Sequence, residues 1–148
     1  MKFDDALSFV INEEREFVFR KDKVSYELNN KEGGNPHLHF YHNNDKGCIR
    51  IDEDSLFNHE DGMTGELNNN EKRELAIFFS LPSKKIPNIT NYQYWCKRWN
   101  QKNIDANSAN KEGKRLAENN KISPYNKYLS EKDIGFLRKI KYSSYYKE

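Results

Sequence analysis

Cysteine is nearly missing from this 148-residue chain: Cys48 and Cys96 stand alone, with no Cys-x-x-Cys pair. That usage excludes a disulfide framework and a zinc ribbon, and two buried thiols in a reducing compartment are expected instead. Long apolar runs are missing too. No stretch of 18 apolar residues exists, which excludes a membrane-spanning helix. The opening MKFDDALSFVINEER carries Asp4 and Asp5 where a secretory signal would be positively charged. A cytoplasmic location in a bacterial cell is the expectation, and the wealth of Asn and Lys fits an AT-rich coding genome, that of a low-GC bacterium or its phage. The usual catalytic signatures are also missing: there is no P-loop, GxGxxG, GxSxG or HExxH. No cofactor is therefore expected.

Apolar side chains are scarce at 35%, and charged ones plentiful at 32%. Leu, Val and Ala are few, whereas nine Phe, nine Tyr and two Trp are present, so the core must rest on large rings. A chain of this length is the size of one domain and can bury a core without metal or disulfide staples. Its charge is unevenly spread. Residues 1–83 hold 10 Lys and Arg against 17 Asp and Glu, a balance of −7, while residues 84–148 hold 15 against 6, a balance of +9. Either the halves neutralise each other across one fold, or the second half meets a polyanion or an acidic protein.

The hydrophobic period divides the chain further. Phe3, Ala6, Leu7, Val10 and Ile11 repeat as one face of a helix, with Asp4 and Asp5 in its first turn. A period of two follows in residues 17–28, broken at Asp22-Lys23, and again in His37–Tyr41 and Cys48–Asp52. These runs predict two hairpins, forming an antiparallel sheet of about four strands under the N-terminal helix. Residues 52–70 read mostly as loop. Helices are expected at 70–81, where Leu75, Phe78 and Phe79 share a stripe, and at 91–101, where Tyr92, Trp95, Cys96 and Trp99 do so. Thr90 or Asn91 can cap the second of these. Residues 103–126 are polar, a loop or a weak helix around 108–118. A last helix opens at Ser130 with Glu131 and Asp133 in its first turn, and its face is Ile134, Leu137 and Ile140. The fold class is α+β, an acidic helix-plus-sheet unit followed by a basic, aromatic helical extension.

Two clusters carry candidate chemistry. In a strand, His37 and His39 point to one side, about 7 Å apart, with Tyr41 beside them and Leu38 and Phe40 on the other. If Leu38 and Phe40 face the core, the two histidines lie half-exposed on the outer face, available to a partner. With His59 they also form a conceivable metal site for a hydrolase or nuclease, since imidazole and carboxylate suit divalent metals. Cys48 lies in the strand expected to pair with them, although nothing there favours a thiolate. The second cluster is the basic half. Lys84, Lys85, Lys97, Arg98, Lys102, Lys114, Arg115, Arg138, Lys139 and Lys141 are interleaved with tyrosines, among them Tyr92, Tyr94, Tyr125 and Tyr128. Such lysines neutralise phosphates, and tyrosine faces stack on unpaired bases. No recognised nucleic-acid module accompanies them.

Two resemblances bear on these residues. The string NPHLHF resembles the last zinc-ligand motif of the lysostaphin-type endopeptidases. Those enzymes take a further histidine upstream, and the first histidine here is His37, which excludes their arrangement. Residues 35–81, with Pro36-His37-Leu38-His39, the strand Cys48–Asp52, Gly65-Glu66-Leu67 and the 71–81 helix, resemble a small prokaryotic PHxH-signature domain of unknown function found near toxin–antitoxin genes. That likeness implies a non-enzymatic inhibitor or antitoxin-like module in bacterial or phage conflict, with a protein or nucleoprotein as target. Direct nucleic-acid binding is the alternative.

Overall fold

The computed structural model describes residues 10–12, 18–21, 24–28, 35–42, 44–57, 64–83, 86, 88–103 and 122–139. Three strands form the part of its sheet that packs on the core: β3 (Val24–Glu27), β4 (His37–Tyr41) and β5 (Lys46–Arg50), all antiparallel. The backbone of β1 (Val10–Asn12) and β2 (Val18–Lys21) continues it, so the strands lie side by side in chain order. Three helices follow: α1 (Asn69–Ser80), α2 (Asn91–Asn103) and α3 (Glu131–Lys139), with a 3₁₀ turn at Asn126–Tyr128 before the last. An α+β architecture with an antiparallel sheet is thus shown. The helix expected over residues 3–11 is not: Val10 and Ile11 are extended and paired with Arg20 and Phe19, and residues 1–9 lie outside the described part. Val and Ile are β-branched, and a neighbouring strand satisfies them as well as a helix would.

Register assigns the faces. Tyr26 pairs with Phe40, and Leu38 with Ile49, so these rings and aliphatic groups share one side of the sheet. They join a single buried cluster with Leu75, Phe78 and Phe79 of α1, with Tyr92, Trp95 and Trp99 of α2, and with Tyr125. Gly47 opposes Phe40 because nothing larger fits: a Cβ there would lie 2.5 Å from the Gly65 carbonyl oxygen and 2.6 Å from Phe40 Cζ. The outer edge of β5 is closed by the chain itself. Phe57 N–H donates to the Cys48 carbonyl, Arg50 N–H to Ser55, and Gly65 N–H to Lys46. Hydrogen-bonding the edge removes a template on which another chain would add.

The helix starts are set by reciprocal caps. Asn68 Oδ1 accepts Glu71 N–H at 2.8 Å, and Glu71 Oε1 accepts Asn68 N–H at 2.9 Å. Thr90 and Gln93 repeat the pattern at α2, at 3.2 and 3.1 Å. Two donors at each helix start are thereby satisfied. Asn91 does not cap; its side chain donates to the Phe78 carbonyl at 2.9 Å and joins α2 to α1. α1 stops at Leu81, held extended before Pro82, as the residue before a proline is driven out of the helical region.

Candidate partner surface and the buried histidines

The histidine pair lies inside the protein, contrary to the half-exposed position expected for it. His37 and His39 are 1% and 4% exposed, and Leu38 and Phe40 on the opposite side are fully buried, so β4 is covered on both faces. Phe57 supplies part of the cover. Its ring stacks on His37 with centroids 3.9 Å apart and planes 2° from parallel, and Trp99 lies 5.4 Å from the same imidazole. His37 Nδ1 sits 2.8 Å from the Asn35 carbonyl, which fixes the ring against its own strand. Alternation within β4 does not reveal this, because the covering ring comes from twenty residues downstream. Cys48 stands directly opposite His39 and is buried with it. Tyr41 is partly buried. Among the described residues no group of three His, Cys, Asp or Glu side chains is placed to hold a metal. His59 lies outside them.

The basic half divides three ways. Lys84, Lys85, Lys114, Arg115 and Lys141 are outside the described residues, as is the region 104–121. Lys102 lies in the last turn of α2. Lys97 and Arg98 are partly buried rather than projecting, and Arg98 Nη1 donates to Gln101 Oε1 at 2.6 Å. Tyr92 and Tyr125, candidates for stacking on bases, are core residues 2% and 0% exposed. Their hydroxyls donate inward, Tyr92 to the Ile51 carbonyl at 2.9 Å and Tyr125 to the Arg50 carbonyl at 2.5 Å. Burial pushes both phenols far above the usual tyrosine range.

Among the described basic residues, those on one face of α3 remain outward and outside any ion pair. Asp133 is fully buried, and Phe136 and Leu137 pack on the core, which sets the helix's inner side. Ile134, expected on that side, is instead 39% exposed. At 100° per residue, Glu131, Lys132, Ile134, Gly135, Arg138 and Lys139 then share the outer side, with the exposed Glu131 near its middle. Lys132, Arg138 and Lys139 are exposed, and none takes part in an ion pair among the described residues. A Cβ on Gly135 would meet nothing within 4 Å, so the helix backbone is open there. Arg138 and Lys139 were expected at the surface; Lys132 was not singled out, because it sits between Glu131 and Asp133 in the sequence. Asp133 in fact points inward.

Two polar clusters escaped the sequence reading. Asp54, 10% exposed, lies 3.1 Å from Lys72 Nζ, 2.8 Å from Lys127 Nζ and 2.5 Å from the Tyr128 hydroxyl. Burial alone would raise the Asp54 pKa most, but Lys127, Tyr128 and Lys72 together hold it below the usual carboxylate range. Beside it is a cavity of about 170 Å³ lined by Ile49, Leu56 and Leu67 and by Asp54, Ser55, Glu66 and Lys72. Asp54 and Lys72 are committed to each other there. The other cluster is His42 with Asp45 and Glu71. Its only local signal is the His-x-x-Asp spacing across a turn, since Glu71 comes from α1. No family model, curated protein or solved structure matches the chain.

Proposed function

We propose that this chain is a non-enzymatic binding protein, an inhibitor or antitoxin-like module of a bacterial or phage conflict system, and that its target is a protein or a protein–nucleic acid complex. The observation that carries the reading is the outer face of α3. Three cations with no ion pair among the described residues, with Glu131 beside them, surround a half-exposed isoleucine and a glycine that lets another surface come close. Cations there speed encounter with an acidic surface, while an apolar anchor supplies affinity once water is excluded. The likeness of residues 35–81 to the PHxH-signature domain supplies the biological setting. Burial and stacking of His37 favour packing over chemistry at that position.

The test is capture from the native host with the tagged full-length chain, with and without nuclease treatment, set against Lys132→Glu, Arg138→Glu, Lys139→Glu combined. A specific protein retained after nuclease and bound at least about tenfold more weakly by the triple variant, a change of roughly 1.4 kcal/mol, supports the proposal. Retention that vanishes with nuclease identifies direct nucleic-acid binding instead. Equal capture by both proteins removes α3 from the interface.

A further inference from the structure

His42 stands where β4 leaves the sheet, and each of its ring nitrogens meets a carboxylate. Nδ1 contacts Asp45 Oδ1 across the β4–β5 turn, and Nε2 lies 2.8 Å from Glu71 Oε2 on the first turn of α1. An ionised carboxylate only accepts hydrogen bonds, so both contacts hold together only when the ring carries both N–H groups. A neutral imidazole keeps one of them and turns its lone pair toward the other carboxylate. Glu71 has no spare freedom to adapt, as its Oε1 already accepts Asn68 N–H in the α1 cap.

We infer that His42 is a proton-operated latch: charged, it ties the β4–β5 turn to the start of α1, and neutral, it lets that turn open. The groups facing it are Asp45 from the turn and Glu71 from α1, with the Phe40 ring of β4 edge-on at 5.2 Å. Glu74 one turn along α1 and the buried Tyr26 of β3 lie near Glu71. Among the described residues no lysine or arginine pairs with Asp45 or Glu71, so His42 is the cation available to both. The backbone that the latch guards is also defined. His42 N–H donates to the Asp45 carbonyl at 2.8 Å, and Gly65 N–H to the Lys46 carbonyl at 2.7 Å, so the 64–67 segment is tied to the strand end beside the turn.

The direction of the titration agrees. Burial, the largest influence, lowers the His42 pKa, but the hydrogen bonds to Asp45 and Glu71 outweigh it and the net shift is upward. A histidine raised in the folded state adds stability in full below the unfolded value of about 6.5 and loses it as pH rises through the folded value. The latch is therefore closed in mild acid and opens as pH rises through the raised folded value. This is a property of the sheet-to-helix junction and does not depend on what α3 binds.

Two measurements on the full-length protein decide it. In wild type, the His42 ring is titrated by NMR, and amide exchange at His42 and Gly65 is followed from pH 5.5 to 9 after correction for intrinsic rates. Glu71→Gln is compared, because its side-chain oxygen preserves the helix cap while its charge is gone. The expected result is a His42 midpoint above about 6.5, with protection of both amides falling several-fold through that midpoint in wild type and staying flat in Glu71→Gln. A wild-type midpoint at or below that value overturns the latch, whether or not the variant folds. So does the same pH dependence in the variant.

Discussion

Asp133 has no exposed surface, yet it is ionised. Arg73 grips it with two parallel hydrogen bonds, Nε to Oδ2 at 2.8 Å and Nη2 to Oδ1 at 2.9 Å, and Ser130 N–H donates a third at 2.9 Å. Desolvation is the largest influence and would raise its pKa, but Arg73 and Ser130 reverse it and hold the carboxyl below the usual range. A depressed carboxylate stabilises the fold above the unfolded pKa of about 3.9, and that contribution disappears as pH falls through the folded value. Asp133→Asn keeps the size and an acceptor for Ser130 while leaving Arg73 without its counter-charge. The expected loss at pH 7 is about 2 kcal/mol, below the usual cost of breaking a buried pair, since Arg73 is 27% exposed. Urea midpoints taken from pH 7 to pH 2.5 check it, because the gap between wild type and variant must close as Asp133 protonates. A gap that stays constant with pH would mean that packing, not charge, holds Asp133. Nothing in the sequence marks this residue as buried: its partner lies sixty positions earlier, and an aspartate in a first turn ordinarily faces water.

Helices were the most legible elements, and their orientation the least. The period of Leu75, Phe78 and Phe79 gave α1 within a residue, since a helix that buries one stripe must repeat it. Its start was blurred because Asn68, Asn69 and Asn70 are all competent caps; Glu71, three residues after Asn68, selects the first by closing the capping box. Asn68→Ala is accordingly expected to cost about 1 kcal/mol, or a Tm lower by about 2–4 °C, and Asn69→Ala much less. Thermal melts of the two variants side by side check this, and equal losses would place the cap elsewhere. α3 shows the opposite case. Its apolar stripe read as Ile134, Leu137 and Ile140; Leu137 packs on the core as expected and Ile140 lies outside the described residues, but Ile134 is turned outward, and Asp133, bonded to Arg73, takes the inner side with Phe136. Alternation in β4 misled in a similar way, because it reports one covered face and cannot report Phe57 covering the other. Local pattern carries element type; the partner that rotates or buries an element comes from elsewhere in the chain.

Across the whole molecule, the opposite charges of the two halves are partly spent on each other. Lys127 meets Asp54, and Arg73 meets Asp133, so charges cross between the acidic and basic regions in both directions. The core crosses as well. Tyr92 and Tyr125 from the basic half hydrogen-bond consecutive carbonyls, Ile51 and Arg50, at the end of β5, and Phe79 packs edge-on against Tyr92 at 5.3 Å. Removing either half would strand buried rings and unsatisfied carbonyls in the other, so the sheet and α2 should unfold together. The two cysteine thiols supply the measurement, one in each half and each 1% exposed: Cys48 in β5 and Cys96 in α2. Brief alkylation across a urea series, read by peptide mass spectrometry, gives each thiol its own unfolding curve. Coincident midpoints are expected. If Cys96 reacts at clearly lower urea, the basic half opens as a unit of its own, and α3 then meets its target from a part of the chain that the sheet does not hold rigid.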